Sequence, residues 1–309
     1  MNSSCDSVAI LANPKSGSVQ SRDYVGQLQQ KLKQLGYQAA VIHNLDEFSQ
    51  KVESEHTTLR AVVSAGGDGT AQIASEITQG RVPIAILPLG TENLLSRYLK
   101  IPRDPNLVAK LIDQYKIHNL DSGFANGKLF LLMVSVGFDA EVVKRLHTTR
   151  TGNISRFSYI KPLFSTLWDF RYPEMIVQGT LADLHPADHP LLSPFLVNDE
   201  TYRLPAGWLF FNNLPFYALG LQLSPKAIDN DGWLDVCLFV RKGFLSSLYN
   251  AMSVFGRWHS RGKKCLFFRV KKATCHSEAD LAYQYDGDFG GKLPLDIQLS
   301  PFTIPFLVP

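Results

Sequence analysis

The chain predicts an open, parallel α/β sheet in its first third, followed by a mostly antiparallel β domain. Three observations lead there. Apolar runs alternate with helix-periodic stretches up to about residue 118. From residue 119 the texture changes to short β-like runs separated by turn dipeptides. The length of 309 residues is that of about two domains at ~150 residues each.

The elements follow in order. Residues 8–12 read as a buried strand ending in Asn13-Pro14-Lys15-Ser16-Gly17. Tyr24, Leu28, Leu32 and Leu35 share one helix face, stopped by Gly36. A second strand covers about 38–42. A third, 59–65, runs into Gly66-Gly67-Asp68-Gly69-Thr70 and a helix over 70–79. A fourth, 82–87, runs into Pro88-Leu89-Gly90-Thr91-Glu92-Asn93 and a helical stretch through Leu99. Asp104-Pro105 supplies an N-cap and first-turn proline for a helix with Leu107, Val108, Leu111, Ile112 and Tyr115 on its apolar face. Strand–loop–helix repetition requires right-handed crossovers, hence parallel strands. Next, 119–124 and 128–137 form a hairpin about Asn126-Gly127, a type I′ signal. β-like runs continue near 174–181, 207–213, 233–240, 264–275, 281–286 and 294–299. Helices interrupt them at about 155–169 and 244–255, with Leu245, Leu248, Met252 and Phe255 along one side of the second. Residues 183–205 are proline-rich and read as an irregular surface loop.

Composition narrows the function. With 31 Lys+Arg against 28 Asp+Glu the net charge is +3, too small for a general polyanion binder. A local patch remains: residues 256–272 hold seven Lys/Arg and no acid. Trp258, Phe267 and Phe268 interleave with it, and without a nucleic-acid module a solvated face or a lipid surface is the better reading. Four cysteines without CxxC suit a reducing cytoplasm. The start, MNSSCDS, lacks a basic signal region, and the longest apolar run, 129–136, is far below the ~20 residues that span a bilayer. The expected setting is cytoplasmic, peripheral on a membrane at most.

Ligands of open α/β sheets bind outside the carboxyl ends of the strands, where three loops stand: 13–17, 66–70 and 88–93. In 66–70 the glycines let backbone N–H groups converge on an anion at a helix N-terminus. A plain tight turn is the competing reading, but the central Asp68 and the neighbouring Gly90-Thr91-Glu92-Asn93 point towards a cation and a phosphate. A Walker A motif is absent, as is GxSxG. Asp286-Gly287-Asp288 reads first as a hairpin turn, as does Asp229-Asn230-Asp231-Gly232, which also offers oxygens to Mg²⁺. His185 and His189 have metal-helix spacing, but Pro186 and Pro190 make that helix implausible.

Taken in order, these loops resemble the diacylglycerol kinase-type lipid kinase family, which includes sphingosine and ceramide kinases. Asn13–Gly17 matches its NPxSG motif, 64–70 its GGDGT signature and 88–93 its PxGTxN. Gly137-Phe138-Asp139-Ala140 is similar to its GFDA segment. Pro225-Lys226-Ala227, Asp231-Gly232 and Leu234-Asp235 follow PxA…DGxLD, and Asp286-Gly287-Asp288 stands where the family has DGE. The resemblance implies an NAD kinase/diacylglycerol kinase-like α/β domain over 1–118, joined by 300–309. It also implies a β-sandwich acceptor domain over 119–299, with the active site in the interdomain cleft. It implies ATP as phosphate donor, contacted by Asn13, Pro14, Lys15, Ser16, Gly17, Asn44, Gly66, Gly67, Asp68, Gly69, Thr70, Ala71, Gln72 and Thr91. A Mg²⁺ site would comprise Asp231 and the carbonyls of Ile228 and Trp233. Asp288 would be the general base, and Asp68 would organise Mg²⁺ through water. Arg257, Arg261, Lys263 and Lys264 would hold the enzyme at a lipid surface. Gln72-Ile73, Leu94, Ala218-Leu219-Gly220 and Asp288 depart from the family pattern. The competing functions are a non-catalytic nucleotide- or lipid-binding regulator and a kinase of a soluble acceptor such as NAD.

Overall fold

The computed structural model describes residues 6–12, 19–148, 160–170, 173–217, 220–240, 243–261 and 265–309. The elements of the first part are β1 (Ser7–Ala12), α1 (Val19–Gln34), β2 (Gln38–Ile42), α2 (Leu45–Glu55), β3 (Leu59–Gly66) and α3 (Asp68–Thr78). Then come β4 (Ile84–Pro88), α4 (Leu94–Tyr98), α5 (Pro105–Gln114) and β5 (Ile117–Leu120). The second part runs through β6 (Gly123–Ala125), β7 (Lys128–Phe130), β8 (Met133–Val136), α6 (Phe138–Thr148), α7 (Ile160–Asp169), β9 (Met175–Thr180), α8 (His189–Leu192) and β10 (Thr201–Ala206). It continues with β11 (Trp208–Asn212), β12 (Phe216–Tyr217), β13 (Leu221–Gln222), β14 (Leu234–Phe239), α9 (Phe244–Phe255) and β15 (Cys265–Val270). Last are β16 (Lys272–His276), β17 (Ala282–Tyr285), β18 (Asp288–Lys292), β19 (Leu295–Leu299) and β20 (Ile304–Leu307).

The chain divides into a unit of Met1–Leu120 with Phe302–Pro309 and a unit of Asp121–Pro301. The first is one sheet of order β2-β1-β3-β4-β20-β5. Strands β1 to β4 are mutually parallel, as crossover helices demand, while β20 lies parallel to β4 and antiparallel to β5. The inner strands are apolar and buried along their length, the mark of a sheet covered on both faces. Asp104 caps α5 by accepting from the Asn106 N–H, with Pro105 in the first turn. The strand order turns about β1 and β3, which places a switch point between their carboxyl ends.

The second unit contains two six-stranded antiparallel sheets, β10-β9-β16-β19-β6-β7 and β15-β14-β11-β8-β17-β18. Their inward residues form one apolar core that includes Phe130, Val177, Tyr202, Phe211, Leu238 and Ile297. Asn126 and Gly127 both take positive φ in the β6–β7 turn, the type I′ geometry that Asn-Gly favours. One sequence expectation is corrected here. Residues 183–205 are not irregular throughout, because β10 begins at Thr201 with Tyr202, Leu204 and Ala206 buried. Its Pro205 hid that alternation, and β10 is an edge strand, where proline is tolerated.

Candidate active site

In the α/β unit the β3–α3 and β4–α4 turns lie side by side because β3 and β4 pair through Gly66 and Pro88. Leu89 N–H donates to the Gly66 carbonyl at 2.8 Å. Glycine is required where they touch: a Cβ on Gly90 would stand 2.5 Å from the Gly67 Cα and 2.7 Å from Asn93 Oδ1. Asn93, in left-handed backbone, closes the second loop on itself. Its Oδ1 accepts from Gly90 N–H at 3.0 Å and its Nδ2 donates to the Gly90 carbonyl at 2.7 Å. Arg103 adds a guanidinium bond to the carbonyls of Pro88 and Gly90. The result is a rigid pair of turns at the carboxyl edge of a parallel sheet. One of them feeds directly into the N-terminus of α3, where the positive end of the helix dipole favours a phosphate.

Asp68 is placed differently from a free metal ligand. Its Oδ2 accepts from Leu94 N–H at 2.9 Å and its Oδ1 from Leu95 N–H at 3.0 Å, so its carboxylate caps the start of α4 across 26 residues of sequence. Burial raises its pKa, and the two backbone donors oppose that. Leu94, a departure from the family pattern, thus contributes its N–H where its side chain has no acid to offer. Thr70, Ala71 and Gln72 are buried along α3, and Thr91 is exposed. Asn44 stands at the carboxyl end of β2, but its Oδ1 accepts from Asp46 and Glu47 N–H as the N-cap of α2. Asn13, Pro14, Lys15, Ser16 and Gly17 lie outside the described residues, as do Ala218, Leu219, Lys263 and Lys264.

In the β unit, Asp286-Gly287 is the turn of the β17–β18 hairpin, both residues at positive φ. The hairpin reading is therefore correct, and the two acids have separate fates. The Asp286 carboxylate accepts from three consecutive N–H groups, Leu131 at 2.7 Å, Leu132 at 2.8 Å and Met133 at 3.0 Å. Asp288 opens β18 on the exposed rim, paired with Tyr285 in a sheet-edge strand.

Beneath that turn lies a polar network that sequence reasoning missed. The Asp139 carboxylate is fully buried at the start of α6. It accepts from Ser135 Oγ at 2.5 Å and Gln284 Nε2 at 3.3 Å, and burial raises its pKa to about 6. Gln284 in turn accepts from Gly287 N–H at 2.9 Å, so the network reaches the residue before Asp288. The signal was present in Gly-Phe-Asp-Ala, but only the fold reveals which neighbours the acid has.

The metal candidates Ile228, Asp231 and Trp233 lie on and beside the 229–232 turn. Asp231 Oδ1 accepts from Trp233 N–H at 3.1 Å, and Asp121 Oδ2 accepts from Gly232 N–H at 2.7 Å. Asp235 bonds the Ile228 backbone, and burial followed by the charge of Asp231 raises its pKa to about 7. Burial and neighbouring carboxylates also raise Asp121, and burial raises Asp231. Among the described residues no three acids, imidazoles or thiols gather into a metal cage by themselves. One carboxylate with backbone carbonyls is nevertheless a donor set that Mg²⁺ accepts, and the mutual repulsion of these acids is what a cation relieves. His185 and His189 are engaged otherwise, His185 Nδ1 with Ala187 N–H and Arg269, His189 Nε2 facing the carbonyls of Leu181 and Leu184.

Comparison with known proteins agrees with these loops. The diacylglycerol kinase catalytic domain model matches residues 7–125, and the YegS C-terminal NAD kinase beta sandwich-like domain model matches residues 132–308. Diacylglycerol kinase of Staphylococcus aureus (strain bovine RF122 / ET3-1) is 26% identical over 293 residues, covering 92% of this chain and 87% of its own. That of strain JH9 is 25% identical with the same coverage. The crystal structure of a diacylglycerol kinase from Bacillus anthracis str. Sterne superposes with a TM-score of 0.69 at 19% identity, covering 98% of this chain and 97% of that one, and so shares the fold. From the ordered loops, the two matched domains and these relatives, the chain belongs to the diacylglycerol kinase-type lipid kinase family, enzymes that phosphorylate an alcohol group.

Proposed function

We propose that the protein transfers the γ-phosphate of ATP to the hydroxyl of a lipid of the diacylglycerol class, at a cytoplasmic membrane surface, in phospholipid biosynthesis. The observation that carries this reading is the locked pair of glycine turns at the carboxyl ends of β3 and β4, the first of which borders the β1/β3 switch point, with the N-terminus of α3 behind Gly67. Phosphoryl transfer asks for positioning and charge neutralisation more than for covalent chemistry, and such a rigid N–H-rich edge supplies both. In this reading Lys15 and the N–H groups of Gly67, Asp68 and Gly69 hold the phosphates, with Asn13, Pro14, Ser16, Gly17, Asn44, Gly66, Thr70, Ala71, Gln72 and Thr91 around the nucleotide. Asp68 contributes by fixing the start of α4, and thereby the second loop, rather than by reaching a metal through water.

Asp288 takes the proton of the lipid hydroxyl as its oxygen attacks the γ-phosphorus and the bond to the β-phosphate oxygen breaks. A loose transition state releases that proton late, so a carboxylate suffices as the acceptor. Asp231 with the carbonyls of Ile228 and Trp233 would hold Mg²⁺, whose charge would neutralise the cluster of Asp121, Asp231 and Asp235. Incubation with γ-labelled ATP and a panel of diacylglycerol, monoacylglycerol, sphingoid base and phosphatidylglycerol tests the assignment, a labelled lipid being the expected product. A second reading, phosphorylation of a soluble acceptor such as NAD, is favoured by the likeness of the second unit to the NAD kinase sandwich. Labelled NADP with no labelled lipid would select it.

A further inference from the structure

Helix α9 is built inside out. Its buried side is Ser247, Asn250, Ser253 and Val254, three of the four polar, with Ser253 only 1% exposed. Its outward side is Phe244, Leu245, Leu248, Tyr249, Met252 and Phe255, with Leu245 at 77%, Phe255 at 61% and Met252 at 54% exposure. At 100° per residue these six side chains fill one continuous arc of about 140°. The polar side is held in place. The Ser253 carbonyl on that side faces Nδ1 of the buried His259 ring at 3.4 Å, and His259 Nε2 meets the Leu223 carbonyl at 2.8 Å, which ties the helix to a segment 30 residues away. The register that exposes the apolar stripe is therefore fixed by contacts of the opposite face.

An apolar stripe of this size on a protein surface marks an interaction site. The sequence around it identifies the partner. From 236 to 277 there are nine Lys/Arg and no Asp/Glu, and the helix itself is uncharged. Arg257, exposed, follows the C-terminus of α9 immediately, and the half-exposed Trp258 stands beside it. Arg269 is engaged with Asp188, and Lys271 lies over the Trp233 ring. Arg241, Lys242, Lys263 and Lys264 lie outside the described residues and enter only through the charge of the sequence. A second copy of the chain is a poor fit, because a symmetric dimer through this stripe would bring one basic margin against another. An apolar face with aromatic and basic margins suits an anionic bilayer, into whose headgroup region such a helix sinks lengthwise. Twelve residues give a helix about 18 Å long, too short to cross.

We propose that α9 is a membrane-insertion helix, its apolar face entering the acyl boundary of an anionic bilayer while Arg257 and its basic neighbours engage lipid phosphates. The proposal rests on the lipid-kinase reading for the choice of a bilayer as partner, and it replaces a purely electrostatic contact with one that salt weakens but does not abolish.

The test uses the full chain and vesicles of phosphatidylcholine with phosphatidylglycerol, without ATP. The variant Leu245→Glu/Met252→Glu/Phe255→Glu alters only exposed positions, and its thermal midpoint should match wild type. Its vesicle binding is expected to fall by about tenfold or more, while wild type keeps measurable binding at high salt. Wild-type tryptophan emission should shift to the blue and be quenched by lipids brominated near the headgroup, and Trp258→Phe should remove that share of the signal. Unchanged vesicle binding by the triple variant overturns the proposal. So does a lipid-free dimer that the triple variant converts to monomer, which would make a second copy the occupant. Turnover is measured separately on diacylglycerol in detergent micelles. Equal micellar rates with loss of the vesicle rate support insertion. No turnover on any lipid, with vesicle binding intact, would remove the kinase reading and leave the docking surface in place.

Discussion

In the α/β unit the Asp68 carboxylate holds two backbone N–H groups at the start of a short helix. In the β unit the Asp286 carboxylate holds three where the chain enters β8. Both acids stand in glycine-flanked turns that read as chemistry in the sequence, and both are spent on joining segments far apart in the chain. They differ in what stands next to them. Beside Asp286, two residues on, Asp288 remains exposed at the hairpin rim. Beside Asp68 the glycines leave only backbone, since Gly67 and Gly90 are in contact. One unit thus presents main-chain groups at a helix N-terminus, and the other presents an exposed side-chain carboxylate. An acid within a signature is therefore not by itself evidence of catalysis, because the partners of its oxygens decide.

Four measurements break or sharpen that contrast. The largest effect is expected at Asp288, where Asp288→Ala should lower kcat by about 10²–10⁴-fold with ATP affinity close to wild type. Asp288→Glu should retain activity. A stability change within about 1 kcal/mol is expected for both, and an active but destabilised Asp288→Ala would reduce Asp288 to a turn residue. The next effect belongs to Asp286. Asp286→Ala leaves the N–H groups of Leu131, Leu132 and Met133 without their acceptor, and a loss of about 3–5 kcal/mol in denaturant unfolding is expected. Near-wild-type stability would show that water replaces the clamp.

A third measurement concerns pH. Asp139 is raised by burial to about 6 from an ordinary 3.8. Below the ordinary value both folded and unfolded chains keep the proton, and the stabilisation is complete. As pH rises towards 6 the unfolded chain ionises first, so that stability is lost, by about 3 kcal/mol at about 1.4 kcal/mol per pH unit. Asp139→Asn should flatten this slope between about pH 4 and 6, read as the wild-type-minus-variant difference in thermal midpoint. A difference independent of pH would mean that Asp139 ionises alike in both states. Of the two acid clamps, the smaller loss of stability is that of Asp68→Asn. The amide keeps one acceptor for α4 and loses the other, so about 0.5–2 kcal/mol of stability should go together with turnover. Lost turnover at unchanged stability would return Asp68 to a direct role with Mg²⁺.

Much of the α/β unit was legible because its signals are local. Buried strands, the Asp104-Pro105 cap and glycines before helices each act within a few residues, and the parallel order follows from the crossovers. Asn126-Gly127 likewise specified its own turn. The strand of 201–206 was hidden because a proline outweighed a short alternation that only its neighbour β9 completes.

The sequence by itself determined which residues share a face, which loops stand at strand ends and in what order the signature turns occur, since all of these follow from periodicity and turn chemistry. Tertiary structure alone decided which way each face looks and where each carboxylate spends its oxygens. Helical spacing put Leu245, Leu248, Met252 and Phe255 on one side of α9 without stating that this side is the outer one. The bonds of Asp68 to Leu94 and Leu95, and of Asp286 to Leu131, Leu132 and Met133, span 26 to 155 residues. Burial and long-range hydrogen bonds depend on packing between elements, and no local pattern carries that information.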